Sequence, residues 1–209
     1  MEITWYGMSC FRLNERGLAS VVTDPYDESL GLPTLKLRGD VVTISHDAVG
    51  HNNTQAVAGS KHTLNGAGEY EIGGVFITGI STTRKAEDVD NVLFMFDYKG
   101  LTIAHLGDMA EVPTQTQIEA LEQVNILLVP VGGGKSLNSA KAAEIVSMLE
   151  PNIVIPMHYE IDGLTADLES VDRFLKEMGA SEPSEETVLK ITTGSLPEET
   201  EVVLLAPKL

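Results

Sequence analysis

Three apolar runs in this sequence end in side chains able to bind a cation or move a proton. Ile44 leads into His46 and His51, Ile103 into His105 and Asp108, and Ile155 into His158. A buried strand that stops abruptly at a polar segment delivers side chains to a cleft, and several such ends on one sheet edge are a common way to build a site. Taken singly, each of these histidines is more often structural or solvated than a ligand. Together they point to metal binding by imidazole and carboxylate, or to general acid–base chemistry. Asp24 stands at a further strand mouth, because Val21-Val22-Thr23-Asp24 runs into Pro25, which cannot continue a ladder.

Other chemistries fit less well. Ser45-His46-Asp47 contains the letters of a hydrolytic triad, but neighbours on a strand point to opposite faces and cannot form a relay. Val131-Gly132-Gly133-Gly134-Lys135-Ser136 lacks the first glycine of a phosphate loop, and its lysine follows too soon; it reads as a flexible turn near the cleft. Cys10 is the only cysteine, so no internal disulfide or thiolate cluster can form, and any metal must be held by His, Asp or Glu. His62, between Lys61 and Thr63, reads as a surface residue.

The elements that must position these groups can be read coarsely. Residues 2–13 and 18–23 pattern as strands around the turn-like Asn14-Glu15-Arg16-Gly17, and 26–39 as a loop. Residues 40–45 form the strand before His46, while 61–64, 69–72 and 75–80 suggest an antiparallel meander. Residues 92–98 and 101–105 flank Lys99-Gly100 as a hairpin. Helices are expected over 114–123, over 139–149 with Asn138 or Ser139 as cap, and over 167–178 stopped by Gly179. Buried strands are expected at 126–129 and 153–158, and two last strands at 188–192 and 201–206. No linker or repeat divides the 209 residues, which read as one α/β domain over 1–209 with mixed sheets.

A formal net charge of -17, with only 14 Lys and Arg, disfavours nucleic acid or an anionic membrane as partner. No basic leader or apolar run of membrane-spanning length is present, so a cytoplasmic location is the expectation.

From Ile3-Thr4-Trp5-Tyr6-Gly7-Met8-Ser9-Cys10-Phe11-Arg12-Leu13 and Thr23-Asp24-Pro25, through Ser45-His46, His51 and Gly68-Glu69-Tyr70-Glu71, to Leu106-Gly107-Asp108 and Ile155-Pro156-Met157-His158-Tyr159, the chain resembles the metallo-β-lactamase superfamily. Within it, the resemblance is to the small branch of ascorbate-6-phosphate lactonase-like proteins and zinc-dependent hydrolases. It implies an αββα sandwich of two mixed sheets flanked by helices, with the site at one sheet edge.

The family's loop reads His-x-His-x-Asp-His. Aligned on it, this chain offers His46, then Ala48 and Gly50 in place of a His and the Asp, then His51. Asp108 falls on the bridging Asp and His158 on the last His, whereas residues 79–84 lack the remaining His and carry Arg84. Met8 stands where relatives often have a His. The resemblance therefore implies at most one metal, on His51, Asp108 and His158, as zinc, iron or manganese, with Asp108 and His46 in catalytic roles. Asp24, Arg84 and His105 are assigned to supporting or substrate contacts, although packing beside Asp108 is the plainer reading of His105. Glu69 and Glu71 share a strand face that lines the cleft or meets solvent.

Two functional readings follow. One is a hydrolase of a small ester, lactone or phosphoester, hence with a small-molecule substrate. The alternative is a non-catalytic scaffold of the same fold that has lost its metal, and a homo-oligomer is compatible with either.

Overall fold

Period-two alternation along two short strands sets up the layers. Val21 and Val41 turn into the main core, while Val22 and Val42 turn the opposite way into a second apolar cluster. The computed structural model describes residues 1–84, 89–121 and 123–209, the side chains at 83, 84 and 89 excepted. Within it, two mixed sheets face each other across the main core, giving the expected α/β sandwich.

The first sheet has six strands, ordered Leu189–Lys190, Glu2–Trp5, Phe11–Asn14, Val21–Thr23, Val41–Thr43 and His62–Leu64. Its first four strands pair antiparallel and its last three parallel. The second has eight, ordered Ser184–Glu186, Glu201–Leu205, Ile153–Met157, Ile126–Pro130, Leu101–His105, Val89–Tyr98, Val75–Arg84 and Gly68–Ile72. Its central strands 126–130 and 153–157 are buried throughout, as near-continuous apolar runs require.

Helix Ser139–Leu149 begins at Asn138, whose side chain accepts from the Lys141 N–H, and places Ala142, Ile145 and Val146 in the main core. Helix Asp172–Glu177 adds Phe174. Helix Gln115–Ala120 starts with a capping box between Thr114 and Gln117. Over the outer face of the first sheet, the cover comes from Tyr26, Leu32, Leu35 and Val57 on loop and turn segments, packed on Met8, Cys10, Val22 and Val42.

Four details depart from the sequence reading. The stretch 2–13 is itself a hairpin, because Gly7 and Met8 adopt positive φ (96° and 50°) and reverse the chain. Residues 62–64 do not join the meander. They lie parallel to 41–43 in the first sheet, where Leu64 fills the core. Helix is absent from 167–171, where the Glu169 N–H donates to the Gly132 carbonyl and its own carbonyl accepts from Glu160, so its backbone bonds go to neighbours and not to a helical ladder. Strand Ser184–Glu186 escaped notice because all three residues are exposed, leaving no apolar alternation to read.

Candidate metal centre

The site forms where the two sheets touch. Strands 21–23 and 41–43 lie parallel and in register, so their ends emerge side by side, and Asp24 N–H donates to the Thr43 carbonyl at 2.9 Å. Across the sandwich, the Val92 N–H donates to the Ser45 carbonyl at 2.8 Å, tying the second sheet to the first. Strands 101–105, 126–130 and 153–157 are likewise parallel, which brings Asp108 and His158 to the same end.

Asp24 is the anchor. It is fully buried, and its carboxylate accepts from the Ser45 N–H at 2.7 Å, the Ser45 hydroxyl at 2.6 Å and His51 Nδ1 at 2.9 Å. Burial alone would raise its pKa; the charge and hydrogen bond of His51, with smaller help from His105 and Ser45, outweigh that and hold the carboxyl below its usual range.

These bonds assign one nitrogen of each ring as the favoured place for its proton. Ser45 gives its hydroxyl proton to Asp24, so it accepts from His46 Nδ1–H at 3.2 Å. His51 Nδ1–H donates to Asp24. Ser136 gives its hydroxyl proton to the Gly133 carbonyl at 3.1 Å and accepts from His158 Nδ1–H at 3.1 Å. In the neutral form of each ring, Nε2 is then the nitrogen with a lone pair.

Two of those nitrogens face Asp108. His46 Nε2 is 3.5 Å from Asp108 Oδ2, and His158 Nε2 is 3.8 Å from Asp108 Oδ1. His51 lies between, its ring centre 4.2 Å from that of His46 and 5.7 Å from that of His158. One donor atom from each of His46, His51 and Asp108 lies within 4.8 Å of the others. Two ligands held about 2.1 Å from one tetrahedral ion stand roughly 3.4 Å apart, whereas an N–H···O bond is about 2.9 Å. The spacings at Asp108 are long for hydrogen bonds and suit a shared cation, so this donor set fits a metal. The cluster thus draws in His46, which the sequence reading kept apart from its set of His51, Asp108 and His158; His158 meets the other oxygen of Asp108.

The remaining candidates fall elsewhere. His105 is fully buried, donates from Nε2 to the Ser9 carbonyl at 2.9 Å and accepts at Nδ1 from the Gly107 N–H at 3.1 Å. Both its nitrogens are committed to backbone, and burial is the main cause of its lowered pKa. Arg84 ends strand 75–84, but its side chain lies outside the described residues. Glu69 and Glu71 are exposed on the sheet's outermost strand, and His62 is also exposed. Cys10 is buried, and burial, then the charge of Asp24, pushes its thiol well above the usual value. Among the described residues, a Cβ added at Gly50 would meet Leu30 Cδ1 at 3.6 Å and Met8 Cε at 3.8 Å, both apolar carbon.

Three supporting residues were missed by sequence reasoning. Ser45 and Ser136 set the tautomers. Asn91, fully buried, accepts from the Asp108 N–H at 2.9 Å and donates to Thr82 Oγ1 at 2.8 Å and the Leu106 carbonyl at 3.2 Å, clasping the turn that presents Asp108. Among the described residues, a cavity of about 440 Å³ opens beside His46, lined by Ile44, Ser45, Asp47, Asn65, Asp90 and Val92.

A two-sheet sandwich with imidazoles and a carboxylate converging at one edge defines the class of metal-centred hydrolase folds. The beta-lactamase superfamily domain matches residues 2–158, and the chain belongs to the metallo-β-lactamase superfamily. It is 33% identical to a proposed zinc-dependent hydrolase of that superfamily from Thermotoga maritima, whose crystal structure superposes with a TM-score of 0.80 over 98% of this chain and 97% of that one. A metallo hydrolase from Ignicoccus hospitalis shares the fold, at 18% identity and a TM-score of 0.69 over 99% of this chain and 95% of its own. A UPF0173 protein from Pyrococcus abyssi is 28% identical over 183 residues, covering 76% of this chain and 83% of the relative. A UPF0173 metal-dependent hydrolase from Lysinibacillus sphaericus is 26% identical over 197 residues, covering 76% and 85%. Among the described residues, no helix is long and apolar enough to cross a membrane.

Proposed function

We propose that the protein is a metal-dependent hydrolase of a small ester, lactone or phosphoester, using one ion on Asp108, His46 and His51 with His158 at the far oxygen of Asp108. The observation that carries this reading is that His46, His51 and His158 each have Nδ1 within hydrogen-bond distance of a scaffold oxygen, while Nε2 of His46 and of His158 faces the two oxygens of Asp108. Imidazole with carboxylate suits zinc, and also iron or manganese. When bound, such an ion lowers the pKa of water towards about 7 and polarises a carbonyl or phosphoryl oxygen.

The chain's own residues supply the rest. Asp24 holds His51 in orientation and increases its basicity, and through Ser45 it holds His46 as well. Asp108 offers the negative charge that offsets the cation. The cavity beside His46 has room for a small substrate, with Ile44 and Val92 as apolar wall and Asn65, Asp47 and Asp90 as polar contacts. Because Gly50 carries no carboxylate, a water in the site lacks the base that relatives place there.

Metal analysis of the protein purified without added zinc tests the reading. We expect about one equivalent in the parent and none in His51→Ala or Asp108→Ala. A parent that neither retains nor takes up zinc, iron or manganese overturns it and leaves the scaffold alternative, which the replacements at Ala48 and Gly50 favour.

A further inference from the structure

The glycine-rich turn 131–136 has no phosphate-loop spacing, yet it is packed against His158 at two points. The Gly132 N–H donates to the His158 carbonyl at 3.0 Å, and the Ser136 hydroxyl meets the His158 ring. We propose that Ser136 is a positioning residue that locks His158 with its proton on Nδ1, and thereby makes Nε2 a metal-binding nitrogen. This inference rests on the metal-centre reading above.

The direction of the Ser136 hydroxyl decides the argument. The Gly133 carbonyl can only accept, and it lies 3.1 Å from Ser136 Oγ. With the hydroxyl proton directed there, Oγ presents a lone pair to His158 and the ring answers with N–H. A second arrangement is available to the ring itself. With its proton on Nε2, His158 would donate towards Asp108 Oδ1, 3.8 Å away, and would compete with a cation instead of binding it. Ser136 removes that option.

The turn is built to hold the hydroxyl still. The Ser136 N–H also donates to the Gly133 carbonyl at 3.1 Å, the Gly133 N–H to Leu137 at 3.0 Å, and the Leu137 N–H to the Met109 carbonyl at 2.8 Å, next to Asp108. Gly132 is required where it stands, since an added Cβ would lie 2.8 Å from Tyr159 Cα and nearer still to the His158 carbonyl oxygen. The serine is buried, with the side chain of His158 only 9% exposed, so water is a poor substitute. His46 and His51 bond to Asp24 and Ser45 at the ends of first-sheet strands, whereas the Nδ1 of His158 meets Ser136 in the turn that follows strand 126–130 of the second sheet.

Two measurements test this. Long-range proton–nitrogen NMR of the metal-free protein at about pH 8, above the usual imidazole titration, reads each tautomer directly. His158 is assigned by the signals lost in His158→Gln. We expect the Nδ1–H pattern in the parent and in Ser136→Thr, and a mixed or Nε2–H pattern in Ser136→Ala. Ser136→Cys, which keeps side-chain bulk but accepts weakly, should move the same way and covers the case in which the alanine variant does not fold.

Chelator competition with zinc is the second readout. Affinity should fall about 10–100-fold in Ser136→Ala and Ser136→Cys, as losing the partner of a metal-ligating histidine typically does, and recover in Ser136→Thr. An Nε2–H signal in the parent, or unchanged tautomer and affinity in both the alanine and cysteine variants, overturns the proposal. If the parent binds no zinc, the metal-centre reading fails by itself, and the NMR comparison still decides the part assigned to Ser136.

Discussion

At the scale of single residues, Asp24 organises more of the site than any candidate ligand does. It sits at φ 38°, a backbone conformation that asparagine and aspartate tolerate better than most residues, and satisfies two groups of Ser45 and one of His51. Asp24→Asn should weaken zinc affinity about 10–100-fold while preserving shape, measured by chelator competition. His105 makes a prediction of a different kind. Its folded-state pKa is lowered, so the unfolded chain takes up a proton first as the pH falls below about 6.5. Its contribution is complete above that value and is lost as the pH drops towards the folded pKa, with a slope of up to about 1.4 kcal/mol per pH unit. Urea unfolding between pH 7.5 and about 5 should show that slope in the parent and a flatter one in His105→Gln. The lowered pKa of Asp24 adds a loss only at lower pH, below its ordinary 3.8.

At the scale of elements, turns matter as much as strands. Gly107 has φ 62°, and a Cβ there would come within 2.6 Å of Asn91 Oδ1 and nearer still to Ser45. Gly107→Ala should therefore cost more than the roughly 1 kcal/mol of an ordinary glycine replacement and should displace Asp108, seen as lost stability together with lost zinc binding. The apolar runs at 41–44, 101–105, 126–130 and 153–157 announce buried strands, and their ends announce His46, Asp108 and His158. The class of fold was therefore legible before any coordinates. Pairing direction was not: nothing local to 62–64 tells a parallel neighbour of 41–43 from one more strand of a meander. The amphipathic pattern over 167–178 likewise overstates its helix, because Leu168 packs in the apolar cluster outside the first sheet while the backbone of Glu169 bonds to the turn at Gly132. Ser45 is set aside by a strand reading that turns it away from His46, whereas the strand ends at Thr43 and the two side chains meet at 3.2 Å. Asn91 and Ser136 left no trace for a physical reason. A hydroxyl or amide that works by bonding across 17 to 22 positions has no periodicity or spacing of its own.

At the scale of the whole molecule, a bound ion should register as stability, since a ligand that binds only the folded state adds about 2.7 kcal/mol at 100 times its Kd. Adding chelator to the metal-loaded parent should lower Tm by several degrees, and His51→Ala should melt at the same temperature with or without chelator. The C-terminal segment links the two sheets: 184–186 and 201–205 extend the second, 189–190 pairs with 2–5 in the first, and the Lys208 N–H donates to the Trp5 carbonyl. During synthesis that arrangement becomes a matter of timing. From Trp5 to Leu189 is 184 residues, so at about 5–20 residues per second the first strand waits roughly 9–37 s for its outer neighbour. Through that interval residues 2–5 present an open edge to any other nascent chain, until 189–190 pairs with it.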